Sequence, residues 1–281
     1  MPSSRQRALE KAKTIKADAY IFDLEDAVSP EQKELARQQA VAAAREQVET
    51  KAYGMSEICI RVNGRTTPWY ASDVEAVATS GADAVLLPKA ESRDDVADLV
   101  DRLDAAGAKP SMEIWCMVET PRGVSNVEEL AAHPRVTALL MGTVDLANDL
   151  RCKPMAPGRF NLQYALQRCV IAARTAGISA LDGVYVDLQN EEGFIDECHQ
   201  GRDLGFDGKT LIHPKTVAQA NEFFSPSAAD IDHAERVIAA HEDAIRTGSG
   251  VATVDGKLVE NLHYRNAKRT LAIVERIKAR A

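Results

Sequence analysis

MEIWCMVETPRG, residues 112–123, and ALLMGTVDLANDL, residues 138–150, have the same organisation. Each begins with a largely apolar run, interrupted in the first only by Glu113, passes through a polar residue pair or turn, and continues into a segment with helical patterning. Continuous apolar runs are typical of parallel strands that are buried on both faces. Glu119 and Asp145 follow these two consecutive predicted strands.

The alternation of strand and helix extends outward from these two segments in both directions. The predicted strands are residues 19–24, 57–62, 84–87, 112–118, 138–141, 183–188 and 209–212. The predicted helices are residues 30–48, 70–80, 93–106, 124–133, 163–176, 191–204 and 214–223. Strands that alternate with helices predict a parallel α/β sheet, either closed into a barrel or open and doubly wound.

We predict a (β/α)₈ TIM barrel over residues 1–224, because the 281-residue length suits this fold. Seven strands are visible where a closed barrel needs eight, and a helical stretch at 5–16 precedes the first of them. A first strand that is missing or trimmed explains this pattern, and a seven-stranded open sheet is the alternative. Residues 225–281 are predicted to form a C-terminal helical extension, with a hairpin turn at Asp255-Gly256, that packs on a neighbouring subunit.

Composition excludes several classes of protein. The chain has 34 basic and 42 acidic residues, a formal net charge of −8, which argues against general nucleic-acid binding. No apolar run approaches the ~20 residues that span a bilayer, so we expect no membrane association. The five cysteines are scattered and form no CxxC pair. This usage predicts a reducing, cytoplasmic setting without disulfides or a zinc site.

Every predicted strand ends in, or is directly followed by, a charged or ionisable residue. In order along the chain these are Glu25-Asp26, Arg61 with Asn63, Lys89, Glu119, Asp145, Asp187 and His213. The active site of an α/β barrel lies at the C-terminal ends of its strands. The pattern therefore predicts one polar, acid-rich mouth that contains a few cations.

Glu119 and Asp145 are the predicted ligands of a Mg²⁺ ion. Clustered carboxylates are unfavourable unless a cation or proton neutralises them, and oxygen ligands without His or Cys favour a hard ion. The alternative is that each carboxylate caps the helix that follows it, and Thr120-Pro121 does resemble a helix entry.

Other strand-end residues have two interpretations each. Arg61 is a candidate clamp for a carboxylate or oxyanion, or else a structural ion-pair partner. Glu25 and Asp26 are candidate acceptors for metal-bound water, although Asp26 equally suits a helix cap. Lys89 is a weaker candidate for a Schiff base, since a metal makes that chemistry unnecessary. His213 resembles a base but more often such a residue is structural.

The chain resembles the citrate lyase beta-subunit-like family, which includes malyl-CoA, methylmalyl-CoA and citramalyl-CoA lyases. The resemblance covers nearly the whole length and rests on ordered motifs. They include ADAYIFDLEDAVSPEQKELAR at 17–37, ICIRVNGR at 58–65, VETPRGVSNVEEL at 118–130, GTVDLANDL at 142–150, LGFDGKTLIHPKTVAQANEFFSPS at 204–227 and DGKLVENLHYRNAKRTL at 255–271. The resemblance implies a modified TIM barrel that assembles as a homotrimer or hexamer.

The resemblance also implies roles for individual residues. Glu119 and Asp145 match the family's magnesium ligands, and Arg61 matches an arginine that contacts the keto acid and the thioester oxygen. Glu25 and Asp26 match acids around the metal, while Arg7 and Lys11 resemble positions near the CoA phosphates. Ser3 replaces a usual glycine. Glu260 stands where the family usually has a catalytic Asp that reaches a neighbouring active site, and its longer side chain shifts the carboxylate.

These features predict a Mg²⁺-dependent lyase that cleaves a 3-hydroxyacyl-CoA to an acyl-CoA and a small keto acid, or condenses them. Arg61 would stabilise the enolate, and Glu260 would move the α-proton. Three alternatives stay open: a malyl-CoA thioesterase on the same site, a citrate lyase beta subunit that acts on an acyl carrier protein, and a CoA-binding barrel without turnover.

Overall fold

The computed structural model describes residues 1–153, 157–249 and 251–280. Seven parallel strands form one sheet in sequential order, so each strand pairs with the next along the chain. Their bounds are β1 Ala19–Asp23, β2 Glu57–Arg61, β3 Ala84–Leu87, β4 Glu113–Val118, β5 Val136–Met141, β6 Ser179–Asp182 and β7 Gly208–Lys209.

Helices connect the successive strands. Those of the first part of the chain are α1 Gln6–Ala12, α2 Lys33–Thr50, α3 Tyr70–Ala78, α4 Arg93–Ala105, α5 Pro121–Ser125, α6 Val127–Ala131, α7 Thr143–Asp149, α8 Gln163–Ala176, α9 Glu191–Leu204 and α10 Val217–Phe224. Those that follow are α11 Ala228–Thr247 and α12 Asn261–Arg280. No described helix is long and apolar enough to cross a membrane.

Continuous apolar strands give the sheet its buried centre. All four residues of β3 are buried, and Leu86 packs in one cluster with Cys59, Trp115 and Leu140 from the neighbouring strands. Burial on both faces is what the continuous runs predicted.

The fold is α/β and TIM-barrel-like, with seven sequential parallel strands. In the ranges that the structure describes, β1 and β7 are the two edges of the sheet, and no ladder joins them. The first residues begin a further pairing on the outer edge of β1: Asp23 N–H donates to the Met1 carbonyl at 2.9 Å, and Ser3 N–H to the Asp23 carbonyl at 3.1 Å. An eighth strand and barrel closure stay predictions.

The prediction for the sixth strand is wrong. The segment 183–188, GVYVDL, is irregular, and the strand lies just before it at Ser179–Asp182. The β-rich composition of this segment reflects side-chain packing, since the Tyr185 ring packs edge-on against Phe194 of α9 with centroids 6.0 Å apart. The seventh strand is likewise shorter than predicted and shares only Lys209 with the expected 209–212.

The chain divides into two compact units, Met1–Ala220 and Asn221–Ala281. In the second unit, β8 Ala252–Val254 and β9 Lys257–Val259 form an antiparallel hairpin. Asp255 and Gly256 both have positive φ, 51° and 72°, as a tight two-residue turn requires, so the predicted hairpin is confirmed. Its core is built from residues of α11, the hairpin and α12: Ala234, Val237, Ala252, Val254, Val259 and Ala267.

Candidate active site

The β1–β2 register creates a two-point ion pair at the C-terminal edge of the sheet. Asp23 and Arg61 are direct partners in the ladder. The guanidinium donates two hydrogen bonds to Asp23, from Nε to Oδ1 and from Nη2 to Oδ2, each at 2.6 Å. Asp23 is 3% exposed. Although burial opposes ionisation, the contact with Arg61 holds the pKa of Asp23 below its ordinary value.

Glu25 lies between two cations. Its Oε2 is 3.0 Å from Nη1 of Arg61, and its Oε1 accepts a 2.6 Å hydrogen bond from Nζ of Lys89. Burial raises the pKa of Glu25, and the two cations oppose that shift. The backbone carbonyl of Glu25 accepts a 2.8 Å hydrogen bond from Nζ of Lys33, which also binds Asn63 Oδ1 at 2.6 Å. The loop after β1 is therefore tied to the end of β2.

Glu119 is the buried acid at the end of β4, 1% exposed. Its Oε1 accepts the backbone N–H of Lys89 at 2.8 Å. Its side chain lies against Gly142, where an added Cβ would be only 2.4 Å from Glu119 Cβ and 2.5 Å from Oε2. Only glycine leaves room for the carboxylate at this position.

The Glu119 carboxyl is strongly perturbed. Burial, reinforced by the negative charge of Glu25, raises the pKa of Glu119 to about 8, against an ordinary value of 4.5. A pKa raised this far favours the protonated carboxyl at neutral pH in the absence of a further cation. A perturbed carboxyl at a strand end is a recognised sign of a functional position.

Asp145 lies on the next strand–helix unit. Gly142 caps the start of α7, and Asp145 is in the first turn of that helix, partly exposed. The Gly142 N–H donates to the Val118 carbonyl at 3.0 Å, so the end of β4 and the start of α7 are adjacent. This arrangement brings Glu119 and Asp145 to neighbouring positions on the same edge of the sheet.

The donor set suits a hard divalent cation. In the described ranges, no three or more His, Cys, Asp or Glu side chains gather as a metal-binding group. Mg²⁺ nevertheless needs only one or two carboxylates and takes water and substrate oxygens for the rest. A buried carboxyl whose pKa is about 8 also gains from a nearby cation. Glu119 and Asp145 therefore fit magnesium.

The remaining predicted residues lie on the surface. Asp26 is exposed, with Oδ2 3.6 Å from Nζ of Lys89. Arg7 and Lys11 are exposed and one turn apart on α1, a spacing that lets both contact one phosphorylated ligand. Glu260 belongs to the second unit. It is exposed between β9 and α12, and its N–H donates to Nδ1 of His263 at 3.0 Å.

Sequence reasoning missed Asp23 and Lys33. Asp23 lies inside the predicted strand 19–24, and its available signal is that it is a charged residue within an otherwise apolar strand. Lys33 gave no signal, because it is the first residue of an ordinary helix. The strand-end acid of β6 is Asp182, bound to Arg159 at 2.6 Å, whereas Asp187 is in an exposed loop.

The structural interpretation of His213, as a buried histidine, is wrong. His213 is exposed and caps a short helix, accepting the Lys215 N–H at 3.1 Å on Nδ1. No contact in the described ranges gives it a part in the site.

Comparisons with known proteins show which proteins the chain is similar to. A family model described as HpcH/HpaI aldolase/citrate lyase matches residues 1–214. A (3S)-malyl-CoA thioesterase from Cereibacter sphaeroides is 49% identical over 99% of this chain and 94% of its own. A citrate lyase subunit beta from Escherichia coli is 36% identical over 92% of this chain and 86% of its own. The Mycobacterium tuberculosis protein CitE, solved with magnesium, acetoacetate and coenzyme A, superposes with a TM-score of 0.78 at 27% identity, over 98% of this chain and 96% of that one.

Proposed function

The chain belongs to the HpcH/HpaI aldolase/citrate lyase family, and we propose that it hydrolyses the thioester of a malyl-CoA-type substrate. One observation carries the choice of reaction: the 49% identity to a malyl-CoA thioesterase extends over 99% of the chain, against 36% for a citrate lyase beta subunit. The sequence alone favours carbon–carbon cleavage with hydrolysis as an alternative, and the identity to a thioesterase reverses that order.

In this proposal Glu119 and Asp145 hold a Mg²⁺ ion. The buried Glu119 carboxyl, with its pKa near 8, supports the assignment because a cation relieves the cost of ionising it. A CitE relative was solved with magnesium. When bound, the metal supplies Lewis-acid polarisation of a substrate oxygen. Glu25 and Asp26 accept hydrogen bonds from the surrounding water.

Arg61 stabilises negative charge on the thioester oxygen. Asp23 fixes two of its nitrogens, Nε and Nη2, so the guanidinium cannot rotate freely. A donor that is already oriented contributes to charge stabilisation without reorganising during the reaction. Arg7 and Lys11 on α1 bind the phosphates of CoA.

Glu260 is the proposed general base, supplied by a neighbouring copy of the chain in a homotrimer or hexamer. It removes a proton from the attacking water, whose oxygen bonds to the thioester carbon. The carbon–sulfur bond then breaks, and the proton passes to the thiolate. The products are free CoA and a hydroxy dicarboxylate.

Carbon–carbon cleavage is the second candidate. It is supported by the citrate lyase beta relative and by the CitE structure that contains acetoacetate with coenzyme A. The same residues serve it: Arg61 stabilises an enolate oxygen, and Glu260 exchanges a proton with the α-carbon. The two reactions break different bonds. In hydrolysis, water attacks the thioester carbon and the carbon–sulfur bond breaks. In cleavage, the bond between the α-carbon and the hydroxyl-bearing carbon breaks.

Product identification separates the candidates. Purified protein is incubated with Mg²⁺ and (3S)-malyl-CoA. A thiol reagent detects free CoA, and mass spectrometry identifies the other products. Hydrolysis gives free CoA and malate, whereas cleavage gives acetyl-CoA and glyoxylate. Turnover only of an acyl carrier protein thioester would instead favour a citrate lyase subunit, and binding of CoA without turnover a non-catalytic barrel.

A further inference from the structure

Lys89 links the two halves of the acidic edge. It follows β3, between the strand that ends at Arg61 and the strand that leads to Glu119. Its main-chain N–H donates to Glu119 Oε1 at 2.8 Å, and its Nζ donates to Glu25 Oε1 at 2.6 Å. Asp26 Oδ2 is 3.6 Å from the same ammonium. One residue thus contacts acids on both sides of the site.

The backbone of Lys89 is unusual. Its φ is 49°, in the left-handed region that residues other than glycine rarely adopt. Such a conformation persists where surrounding contacts determine it, and it concentrates at functional sites. Here the contacts are the main-chain bond to Glu119 and the side-chain bond to Glu25.

The two cations that contact the Glu25 carboxylate are in different situations. Arg61 has two nitrogens on Asp23, and its side chain is 15% exposed, so its charge is largely matched by that carboxylate. The Lys89 side chain is 43% exposed and has one short hydrogen bond, to Glu25. An ammonium has three donors. Lys89 is therefore less fully hydrogen-bonded than Arg61, and more exposed.

We propose that Lys89 is a built-in counter-cation that positions Glu25 and Glu119 and sets how tightly the site binds a divalent cation. Its ammonium offsets the negative charge of Glu25 and Asp26 while no metal is bound. The same positive charge repels a divalent ion beside Glu119. The inference rests on the proposed magnesium site at Glu119 and Asp145, and concerns a positioning role, since Lys89 acts through the carboxylates.

Mn²⁺ binding, measured by isothermal titration calorimetry and by electron paramagnetic resonance, tests the inference. Lys89→Met removes the charge and should tighten Mn²⁺ binding by about five- to tenfold, the order expected for one unit charge near a divalent ion. Lys89→Gln should tighten it similarly, and Lys89→Arg should stay within about twofold of wild type. Lys109→Met is the matched control, because it makes the same charge change at an exposed residue before β4, at the N-terminal ends of the strands and away from the site.

A thermal-unfolding series adds a readout that a merely structural role would not move. Lys89→Met should unfold at a lower temperature than wild type without metal, and saturating Mn²⁺ should remove most of that difference. Unchanged or weaker Mn²⁺ binding in both neutral variants overturns the inference and leaves the magnesium site intact. Failure of the wild-type protein to bind Mn²⁺ overturns the magnesium site itself.

Discussion

Replacing Glu119 with glutamine should change the pH dependence of stability in a defined direction. Burial raises the pKa of the Glu119 carboxyl to about 8, whereas its ordinary value is 4.5. The folded protein therefore binds more protons than the unfolded chain between these values. The contribution of Glu119 protonation to the free energy of unfolding is fully present below about pH 4.5, and it is lost as the pH rises through about 8. Glutamine has nearly the same shape and cannot ionise, so this loss should disappear.

The expected magnitude follows from linkage. For a carboxyl with a pKa of about 8 when folded and 4.5 when unfolded, ionisation lowers the free energy of unfolding by about 3 kcal/mol between pH 5 and pH 7.5. Relative to wild type, Glu119→Gln should thus be nearly neutral at pH 5 and about 3 kcal/mol more stabilising at pH 7.5. Both values refer to protein without a divalent cation.

Urea unfolding at a series of pH values in a chelator measures this directly. The exposed Glu129→Gln serves as a control, since it changes the formal charge equally on the surface. A difference between Glu119→Gln and wild type that is independent of pH would refute the reasoning. It would mean that Glu119 ionises normally, with no need of a cation.

Three further changes test the rest of the site. Asp23→Asn should destabilise the protein by about 3 kcal/mol in urea unfolding, because two nitrogens of a mostly buried guanidinium lose their carboxylate partner and only the contact with Glu25 stays. Adding Arg61→Met should recover part of that loss, and full additivity would contradict the pairing. Gly142→Ala places a Cβ 2.4 Å from Glu119 Cβ, which must displace the carboxylate. The Mn²⁺ affinity measured by calorimetry should therefore fall at least about tenfold. An unchanged affinity would show that Glu119 is not a ligand. Glu119→Gln and Glu260→Gln should each be inactive. Mixing the two variants after dissociation should restore thioester turnover, because a mixed oligomer contains sites with Glu119 from one copy and Glu260 from another. No recovery would place Glu260 outside its neighbour's site.

The sequence was sufficient to predict residues that follow strands in chain order. Continuous apolar runs identified β1 to β5, and the polar residues after them include Glu25, Arg61, Lys89 and Glu119, which the structure brings into contact. These residues are close because strands that are consecutive in the sequence are also neighbours in the sheet. That adjacency can be predicted from chain order alone. The role of each residue stays a prediction until activity is measured.

Features that depend on register or on packing could not be predicted in the same way. The Asp23–Arg61 pair exists because β1 and β2 align at these two residues, and composition does not fix register. The segment 183–188 has a strand-like composition but is not in the ladder, and its aromatic residue Tyr185 packs against Phe194 of α9 instead. Lys33 is buried with its ammonium satisfied by carbonyl oxygens of the loop after β1 and by Asn63, contacts that tertiary packing creates.

Isotope incorporation gives the most direct test of the central claim that this chain hydrolyses a malyl-CoA-type thioester. (3S)-Malyl-CoA is incubated in H₂¹⁸O with Mg²⁺ and either wild type or Glu119→Gln, and the products are analysed by mass spectrometry. We predict malate with one ¹⁸O in its new carboxylate and free CoA from wild type, and neither from the variant. Acetyl-CoA and glyoxylate as the products, or hydrolysis that is unaffected by the Glu119 substitution, would contradict the claim.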